Sequence, residues 1–406
     1  IQQSMHSYSI SKQLVYTAWL KVKANAGVAG ADNVSIGMYE QNLKNELYKL
    51  WNRMRSGSYM ASPVKRVEIA KSDGKLRPLG IPTVGDRVAQ MVVKMTLEPE
   101  WDNKFHSSSF GYRPKRSAHH AVQAAKINCW KYSWVIDLDI KGFFDNLNHD
   151  QLQKFVAQAT DNPWCKLYIK RWITAGVQRP NGEIQQTEKG TPQGGVISPL
   201  LANLYLHKVF DSWVQKYFPQ NPFERYADDI VCHCRTEREA EQLLGAIAQR
   251  MQHFDLTLHP EKTKIVYCGR RKIERTKAQS FDFLGFTFRR RTVKRKDGKL
   301  VPGFVPAISN KAKKAIVTTM RAWNVRRLSR LSIVTLSKRL NPQIRGWFTY
   351  YGAFYPSALQ GIREAIECRL TKWLKGKYPQ KRSRRLKAYS WLKQIKQWRP
   401  TLFAHW

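Results

Sequence analysis

The stretch 134–140, WVIDLDI, limits the possible folds more than any other. Its apolar residues read as a short buried strand, yet it carries two carboxylates. On a strand Asp137 and Asp139 point to one face, and Ile136, Leu138 and Ile140 point to the other. An isolated buried charge is very costly, so both acids must be paired, hydrogen-bonded or bound to metal. A second acidic site lies at 225–234, RYADDIVCHC, where Asp228 and Asp229 are adjacent. For its tetrapeptide YADD (226–229) alone, a hairpin turn explains the acids as well as a functional site does, because Asp favours turns by bonding its own backbone.

The surrounding charge decides between these readings. The 406-residue chain has 70 Lys+Arg against 30 Asp+Glu, a formal charge of +40. That balance asks for a polyanion, and nucleic acid leads because each neutralised phosphate releases counterions. An anionic membrane is disfavoured, since the cations are spread along the chain rather than gathered beside an apolar face. No apolar run has bilayer length, and no signal-peptide pattern follows Ile1. The six cysteines make no C-x-x-C pair, and Cys232 and Cys234 read as buried strand thiols in a reducing cytosol. Carboxylates from two strands, in a chain built to hold phosphates, suit two-metal phosphoryl transfer, because Mg²⁺ prefers oxygen ligands.

At 42% apolar residues the chain can build large cores, and its length suits two to four domains. Residues 1–60 read as helical, with Tyr39, Leu43, Leu47, Leu50 and Met54 on one stripe ended by Gly57. VKRVEIAKSDGKLRPLGIP reads as a basic hairpin around Asp73-Gly74. GTPQGGVISPLLANLYLHKVFDSWV reads as a Gly-rich turn feeding a long amphipathic helix, and FDFLGFTFRR as one half-buried strand. After the basic stretch 289–303 the texture turns to helix with interleaved Trp and Tyr, which places a domain boundary there. The pattern is an α+β core followed by an all-α region.

The motifs KSDGKLRPLGIP, SSFGYRPKRSAHHAV, DLDIKGFFDNLNHD, GTPQGGVISPLLANLYLH, RYADD, HPEKTKI, FLGFTF and LNPQIRGWFTYYGAF together resemble, in order, those of the bacterial group II intron-encoded reverse transcriptase/maturases. The resemblance runs from about residue 25 to the end. It implies a right-hand polymerase with fingers, a ferredoxin-like palm bearing an antiparallel sheet, a helical N-terminal extension and an all-α thumb/maturase domain. The corresponding ranges are 1–65 for the extension, 66–290 for fingers and palm, and 291–406 for thumb and maturase with a basic tail. Relatives often continue into a nuclease domain with paired Cys and His. No such set precedes Trp406, so the resemblance is to the endonuclease-lacking type.

The resemblance also implies site residues. Asp139, Asp228 and Asp229 match the catalytic metal ligands, with the backbone carbonyl of Ile140 completing the shell for two Mg²⁺, or Mn²⁺ as a substitute. Asp137 is assigned a supporting role, and Asp145, His149 and Asp150 capping or packing. Lys71 and Arg77 match residues that clamp the triphosphate, and Gln193 one that touches the nucleotide. Phe144 matches the ring that clashes with a 2′-OH and so admits deoxyribose. Lys262 matches a lysine proposed to protonate the leaving pyrophosphate. Gly194 and Gly195 would allow close approach to template and primer, with Tyr226 near the primer end. Phe283, Leu284 and Gly285 match the primer grip, while Arg113 and Arg116 contact template or brace the fingers. Lys338, Arg339, Arg345, Trp347, Tyr350 and Tyr351 offer cations and stacking faces to RNA.

The implied partners are group II intron RNA, an RNA template with a DNA primer, target DNA and dNTPs, for a monomer or homodimer in the bacterial cytoplasm, associated with nucleoid or ribonucleoprotein. The implied function is RNA-directed DNA synthesis joined to splicing assistance and intron mobility. The alternatives are a domesticated relative in defence or DNA repair, or a purely RNA-binding maturase.

Overall fold

The computed structural model describes residues 7–70, 76–269, 277–294, 297–378 and 385–406. Lys71 and the expected Asp73-Gly74 turn lie outside the described residues. Two compact units form, Ile1–Ala121 with Ile136–Lys264, and Val122–Val135 with Ile265–Trp406. The helices are α1 (Lys12–Asn25), α2 (Ile36–Gln41), α3 (Leu43–Ser56), α4 (Val84–Lys104), α5 (Ala118–Lys131), α6 (His149–Ala159), α7 (Pro163–Ile173), α8 (Ser198–Leu206), α9 (Ser212–Tyr217), α10 (Glu237–His253), α11 (Asn310–Ala322), α12 (Ile333–Tyr351), α13 (Gln360–Lys377) and α14 (Arg385–Trp398). The strands are β1 (Val64–Ala70), β2 (Leu76–Ile81), β3 (Trp134–Asp139), β4 (Val177–Gln178), β5 (Ile184–Gln185), β6 (Phe223–Tyr226), β7 (Asp229–Cys234), β8 (Lys264–Tyr267), β9 (Ser280–Phe283), β10 (Phe286–Lys294) and β11 (Leu300–Ile308). The architecture is α+β, as expected.

In the first unit the N-terminal stripe is two helices, not one. The chain breaks at Asn42, whose φ of −118° and ψ of 30° leave the helical region. Tyr39, Leu50 and Met54 are still buried, and Gly57 closes α3 in a left-handed conformation. One sheet has the order β2-β1-β4-β5, with β1 and β2 antiparallel as the basic-hairpin reading requires. A second sheet includes the neighbouring strands β6, β7 and β3, in that order. Along β3 the expected alternation holds, since Ile136 and Leu138 are buried while Asp137 and Asp139 are partly exposed. At the start of α4, Thr83 caps the Asp86 amide, and the buried Asp86 carboxylate accepts hydrogen bonds from Thr83 and Tyr59.

The helix after the Gly-rich turn departs from its reading as amphipathic. Every residue of α8 except Pro199 is buried, so it is a core helix with no solvent face. It runs into a π-helical stretch, His207–Asp211, before α9. A π stretch adds a residue to the turn, and here it accompanies a wholly buried Asp211.

The second unit contains a three-stranded sheet of order β11-β10-β9. FDFLGFTFRR is therefore a hairpin and not one strand. Its two-residue turn is Leu284-Gly285, both at positive φ, 51° and 81°. The turn lacks the usual Asn or Asp, and that hides it in the sequence. Within the basic stretch where the boundary was expected, Arg289–Lys294 pair antiparallel with Leu300–Val305. A boundary at 290/291 would cut this pairing, and the division between compact units falls at Lys264/Ile265. The helices enclose a core built on Leu336, Leu340, Ile344, Ile366, Leu370 and Trp373. Asn341 clamps the C-terminal tail by bonding Leu402 O and Ala404 N, and Phe403 is buried there.

Gly285 meets Tyr351 directly, since a Cβ would lie 3.3 Å from the ring at a φ that L residues avoid. Gly285→Ala is therefore expected to destabilise the protein by about 1–2 kcal/mol, read as a lower thermal midpoint. An unchanged midpoint would contradict the hairpin geometry.

Candidate active site

The acidic turn is built from below. Tyr226 of β6 pairs with Asp229 of β7, leaving Ala227-Asp228 as a two-residue turn. Ala227 sits at φ 57°, which costs a non-glycine residue about 1–2 kcal/mol and persists only when surroundings enforce it. Arg225 is the enforcing residue. Its side chain is fully buried and its Nη1 donates to Ala227 O at 3.2 Å and Asn203 Oδ1 at 2.9 Å. Its Nε and Nη2 form a bidentate pair with Asp211 at 2.7 and 2.6 Å. Asn203 in turn donates to Gly111 O at 2.8 Å. Gly111 must be glycine, because a Cβ would lie 2.5 Å from Ala227 N. Ser108, Phe110, Asn203, Asp211 and Arg225 thus hold one turn, with the Arg225 backbone bonded to Ser108 O and Phe110 N. Burial pushes the Asp211 carboxyl up, but the Arg225 guanidinium outweighs it and holds Asp211 below the ordinary range.

Asp139 ends β3, the strand next to β7. Burial raises the pKa of Asp228, and the negative charge of Asp139 raises it further, while Arg77 and Arg225 oppose. These two carboxylates therefore share one electrostatic site. The turn 259–263 closes over Asp139: His259 N donates to its carbonyl at 2.7 Å and its own amide donates to Thr263 Oγ1 at 3.4 Å. Lys262 Nζ lies 3.0 Å from Asp139 Oδ2, and Lys264 lies 3.7 Å from Asp137. Asp137 is thus paired with a lysine beside the site, in line with a supporting role. The expected cage of three acids is not assembled. Among the described residues no three Asp, Glu, His or Cys side chains form a metal-holding group, and Asp229 is exposed at the start of β7. The donor set still fits a hard divalent cation, because Mg²⁺ commonly takes one or two carboxylates and completes its shell with water and substrate phosphate.

Beside the acids, Arg77 Nε donates to Gln193 Oε1 at 2.6 Å, and Gln193 Nε2 donates to Asp145 Oδ1 at 3.3 Å. Three residues from β2, the Gly-rich loop and the segment after Phe144 so form one polar cluster. Asp145 therefore belongs to the site rather than to a helix cap. Phe144 is buried, 8% exposed, with its ring edge-on to Phe143 at 5.4 Å. Ile140 is buried and bridges to Leu258. Tyr112 is missing from the sequence-based set. It lies 6.3 Å from the Tyr226 ring, and its hydroxyl is raised by burial and by the Asp228 charge.

Several expected contacts are used internally instead. Arg113 is buried and spends its guanidinium on Asp102, His106 O and Ser109 O, so it braces and does not reach template. Arg116 donates to Ser107 O at 2.5 Å. Gly194 and Gly195 allow close packing within the protein, against Gly80 O and against Ser198 and Gln90 respectively. In the second unit the Phe283 side chain is 2% exposed. Tyr350 donates to Leu284 O at 3.0 Å, and Tyr350 and Tyr351, both half-buried, pack on Phe286 and brace the hairpin. Trp347 stacks on Trp323 at 5.6 Å. Lys338, Arg339 and Arg345 are exposed, as an RNA-facing role requires. Cys232 and Cys234 are buried thiols, the latter pushed up to about 12 by burial.

A strand-end carboxylate on the strand next to an acidic hairpin turn, with an Arg-Gln-Asp cluster, is an arrangement that suits phosphate chemistry. Residues 69–288 match the family described as reverse transcriptase (RNA-dependent DNA polymerase), and residues 313–391 the maturase-specific domain of group II introns. The chain belongs to the group II intron reverse transcriptase/maturases, and it is an RNA-directed DNA polymerase by that membership. It is 34% identical over 280 residues to Protein YkfC of Escherichia coli K12, covering 59% of this chain and 72% of that protein. It is also 34% identical over 268 residues to the group II intron-encoded protein LtrA of Lactococcus lactis subsp. cremoris, covering 64% of this chain but only 42% of LtrA. A fission-yeast relative, an uncharacterized 91 kDa protein in the cob intron of Schizosaccharomyces pombe, is 29% identical over 279 residues, covering 64% of this chain and 33% of that protein.

Two predictions follow from the geometry. A carboxyl whose folded pKa is raised is a stability cost once ionised, above its folded pKa. Asp228→Asn should therefore raise the thermal midpoint of the metal-free protein at neutral pH, with the gain shrinking toward acid pH, where the native acid is protonated in both states. Added Mg²⁺ should stabilise the native protein and not the variant. Asp211 has the opposite sign: its stabilisation is present above the unfolded carboxylate pKa of about 4 and is lost as pH falls through its lower folded value. Arg225→Met leaves Asp211 buried with only His207, 3.7 Å away, for a partner, and should cost about 3–5 kcal/mol in chemical denaturation. A loss below about 1 kcal/mol would show that the pair does not hold the turn.

Proposed function

We propose that the chain copies RNA into DNA from a primer 3′-OH, with Asp139 and Asp228 holding two Mg²⁺ ions, or Mn²⁺ in their place, and Asp229 joining when nucleotide is bound. The observation that carries this is the sheet: β3, which ends at Asp139, lies next to β7, which begins just after Asp228, so acids 89 positions apart in sequence sit on neighbouring strands. The cations, when bound, polarise the attacking hydroxyl and neutralise charge on the reacting phosphate. The side chains do the rest. Arg77 and Gln193 meet at the nucleotide face, where a guanidinium suits bidentate contact with phosphate. Phe144 closes the floor beneath the sugar and excludes a 2′-OH. Lys262, 3.0 Å from Asp139, would hold the proton that the leaving pyrophosphate takes.

In this reading the first unit carries fingers and palm behind the N-terminal extension. The second carries thumb and maturase functions, and offers Lys338, Arg339 and Arg345 to group II intron RNA. Splicing assistance and mobility into target DNA by target-primed synthesis follow the proteins it resembles, with template RNA, DNA primer and dNTPs as substrates. No helix among the described residues is long and apolar enough to cross a membrane. A setting in the cytoplasm, beside nucleoid and ribonucleoprotein, accords with the +40 charge.

Primer extension on an RNA template with dNTPs tests the proposal. Asp139→Ala or Asp228→Ala should lower extension at least about 10³-fold, roughly 4 kcal/mol of lost transition-state stabilisation, while intron RNA binding persists. Extension surviving in both variants would overturn the reading. Phe144→Ala should keep DNA synthesis and lower discrimination against ribonucleotides by about 10–100-fold, seen in single-nucleotide incorporation ratios.

A further inference from the structure

The second unit contains a cavity that the polymerase chemistry does not use. Its volume is about 520 Å³, within the range of small-ligand sites. Aromatic side chains dominate its walls: Trp373 and Tyr378 at the end of α13, and Trp391 and Trp398 on α14. Lys377 and Gln394 supply polar groups. Trp373 is 1% exposed and forms a fixed floor, its Nε1 tied to Leu328 O. Tyr378 and Trp391 stand 6.1 Å apart with tilted rings. Trp398 is 76% exposed, a large apolar face at the rim. Arg399 lies 4.8 Å from its ring centre, so a cation and an aromatic face stand together at the rim.

The charge around the cavity selects its occupant. From Gly298 to Trp406 the only acids are Glu364 and Glu367. Glu367 is occupied by His405 and Trp406, and Glu364 accepts from Gln360. Lys393 and Lys396 on α14 are exposed, as is Arg399 just past its end, whose guanidinium lies 4.8 Å from the Trp398 ring centre. Lys377 Nζ lies 5.8 Å from the Trp373 ring centre and 5.9 Å from that of Tyr378. A cation thus already sits over these faces, which disfavours the cationic ligands that aromatic cages otherwise take. A neutral planar group joined to a phosphate chain satisfies both the rings and the surrounding cations. Gln394, exposed on the same wall, can bond the edge of such a group.

We propose that this cavity receives an unpaired nucleobase of single-stranded RNA, stacked on Trp398 and Trp391, with a flanking phosphate held by Arg399 at the rim. The site lies wholly within the second unit and does not depend on the polymerase reading. Its specificity is for an extruded base and not for a helix, since a base within a duplex hides both faces in its own stack.

The test uses the full chain and a short adenine-rich RNA carrying one 2-aminopurine, at salt high enough to weaken contacts made by phosphate alone. Stacking against tryptophan should quench the 2-aminopurine fluorescence saturably. Trp398→Ala should lose most of the quench and weaken binding roughly tenfold, the scale of one stacked base, with little change in the slope of affinity against salt. Trp398→Phe should restore both, since it keeps an aromatic face. Trp398 is largely exposed, so neither variant threatens the core. Three outcomes would overturn the proposal: no saturable quench in the native chain, as an apolar peptide or lipid site would give; a quench unaltered in Trp398→Ala; or a loss in Trp398→Ala that Trp398→Phe does not restore.

Discussion

The catalytic geometry rests on a guanidinium sealed in the protein interior. Arg225 and Asp211 are both fully buried, joined by two hydrogen bonds. A buried ion pair is a poor source of net stability, because desolvating both charges offsets much of their attraction. Its value here is directional. The planar fork of Arg225 reaches Asp211 on one side and Asn203 and Ala227 O on the other. Lysine, a point charge on a flexible stem, cannot serve all three at fixed angles. The pair thereby fixes a left-handed alanine and, through it, the aim of Asp228.

That scaffold explains how the chain tolerates an unfavourable neighbour. Asp228 is penalised by burial and by Asp139, and free side chains would relax apart. The turn cannot relax, because Gly111 packs against its amide and Phe110 and Ser108 bond the Arg225 backbone. In the proposed reading a divalent cation would relieve that repulsion. Lys262 gives Asp139 partial compensation from a largely exposed position, where an ion pair adds little stability and parts easily. The two units also divide the charge problem. Asp137, Asp139, Asp228 and Asp229 lie in the first, whereas the second is nearly free of acid beyond residue 297.

Local periodicity made part of this legible in the sequence. The alternation of Ile136, Asp137, Leu138 and Asp139 stands in β3 as the period-2 pattern requires, and Gly57 ends α3. Features set by distant contacts were hidden. Arg225 looks like any other cation in a chain of +40, and only its burial against Asp211 and Asn203 shows its work. Gly111 and Ala227 meet across more than a hundred residues, so no window of sequence displays the fit. Leu284-Gly285 turns a hairpin without Asn or Asp, and the residues around it continue the strand alternation undisturbed. Asp145, Tyr112 and the roles of Gly194 and Gly195 were obscured for the same reason. Their partners, Gln193, Tyr226, Gly80 and Ser198, are set by the tertiary fold. Tyr350 and Tyr351, read as RNA-facing, also pack on Phe286, which no local pattern displays.

Everything turns on the acids at 139 and 228 grasping one cation site. Anomalous diffraction from crystals grown with primer, RNA template, incoming deoxynucleotide and Mn²⁺ measures this directly. The account predicts Mn²⁺ density in contact with both carboxylates and the nucleotide phosphates, with Lys262 withdrawn from Asp139. Density confined to the phosphates, or Lys262 still seated on Asp139 in the loaded complex, would contradict it.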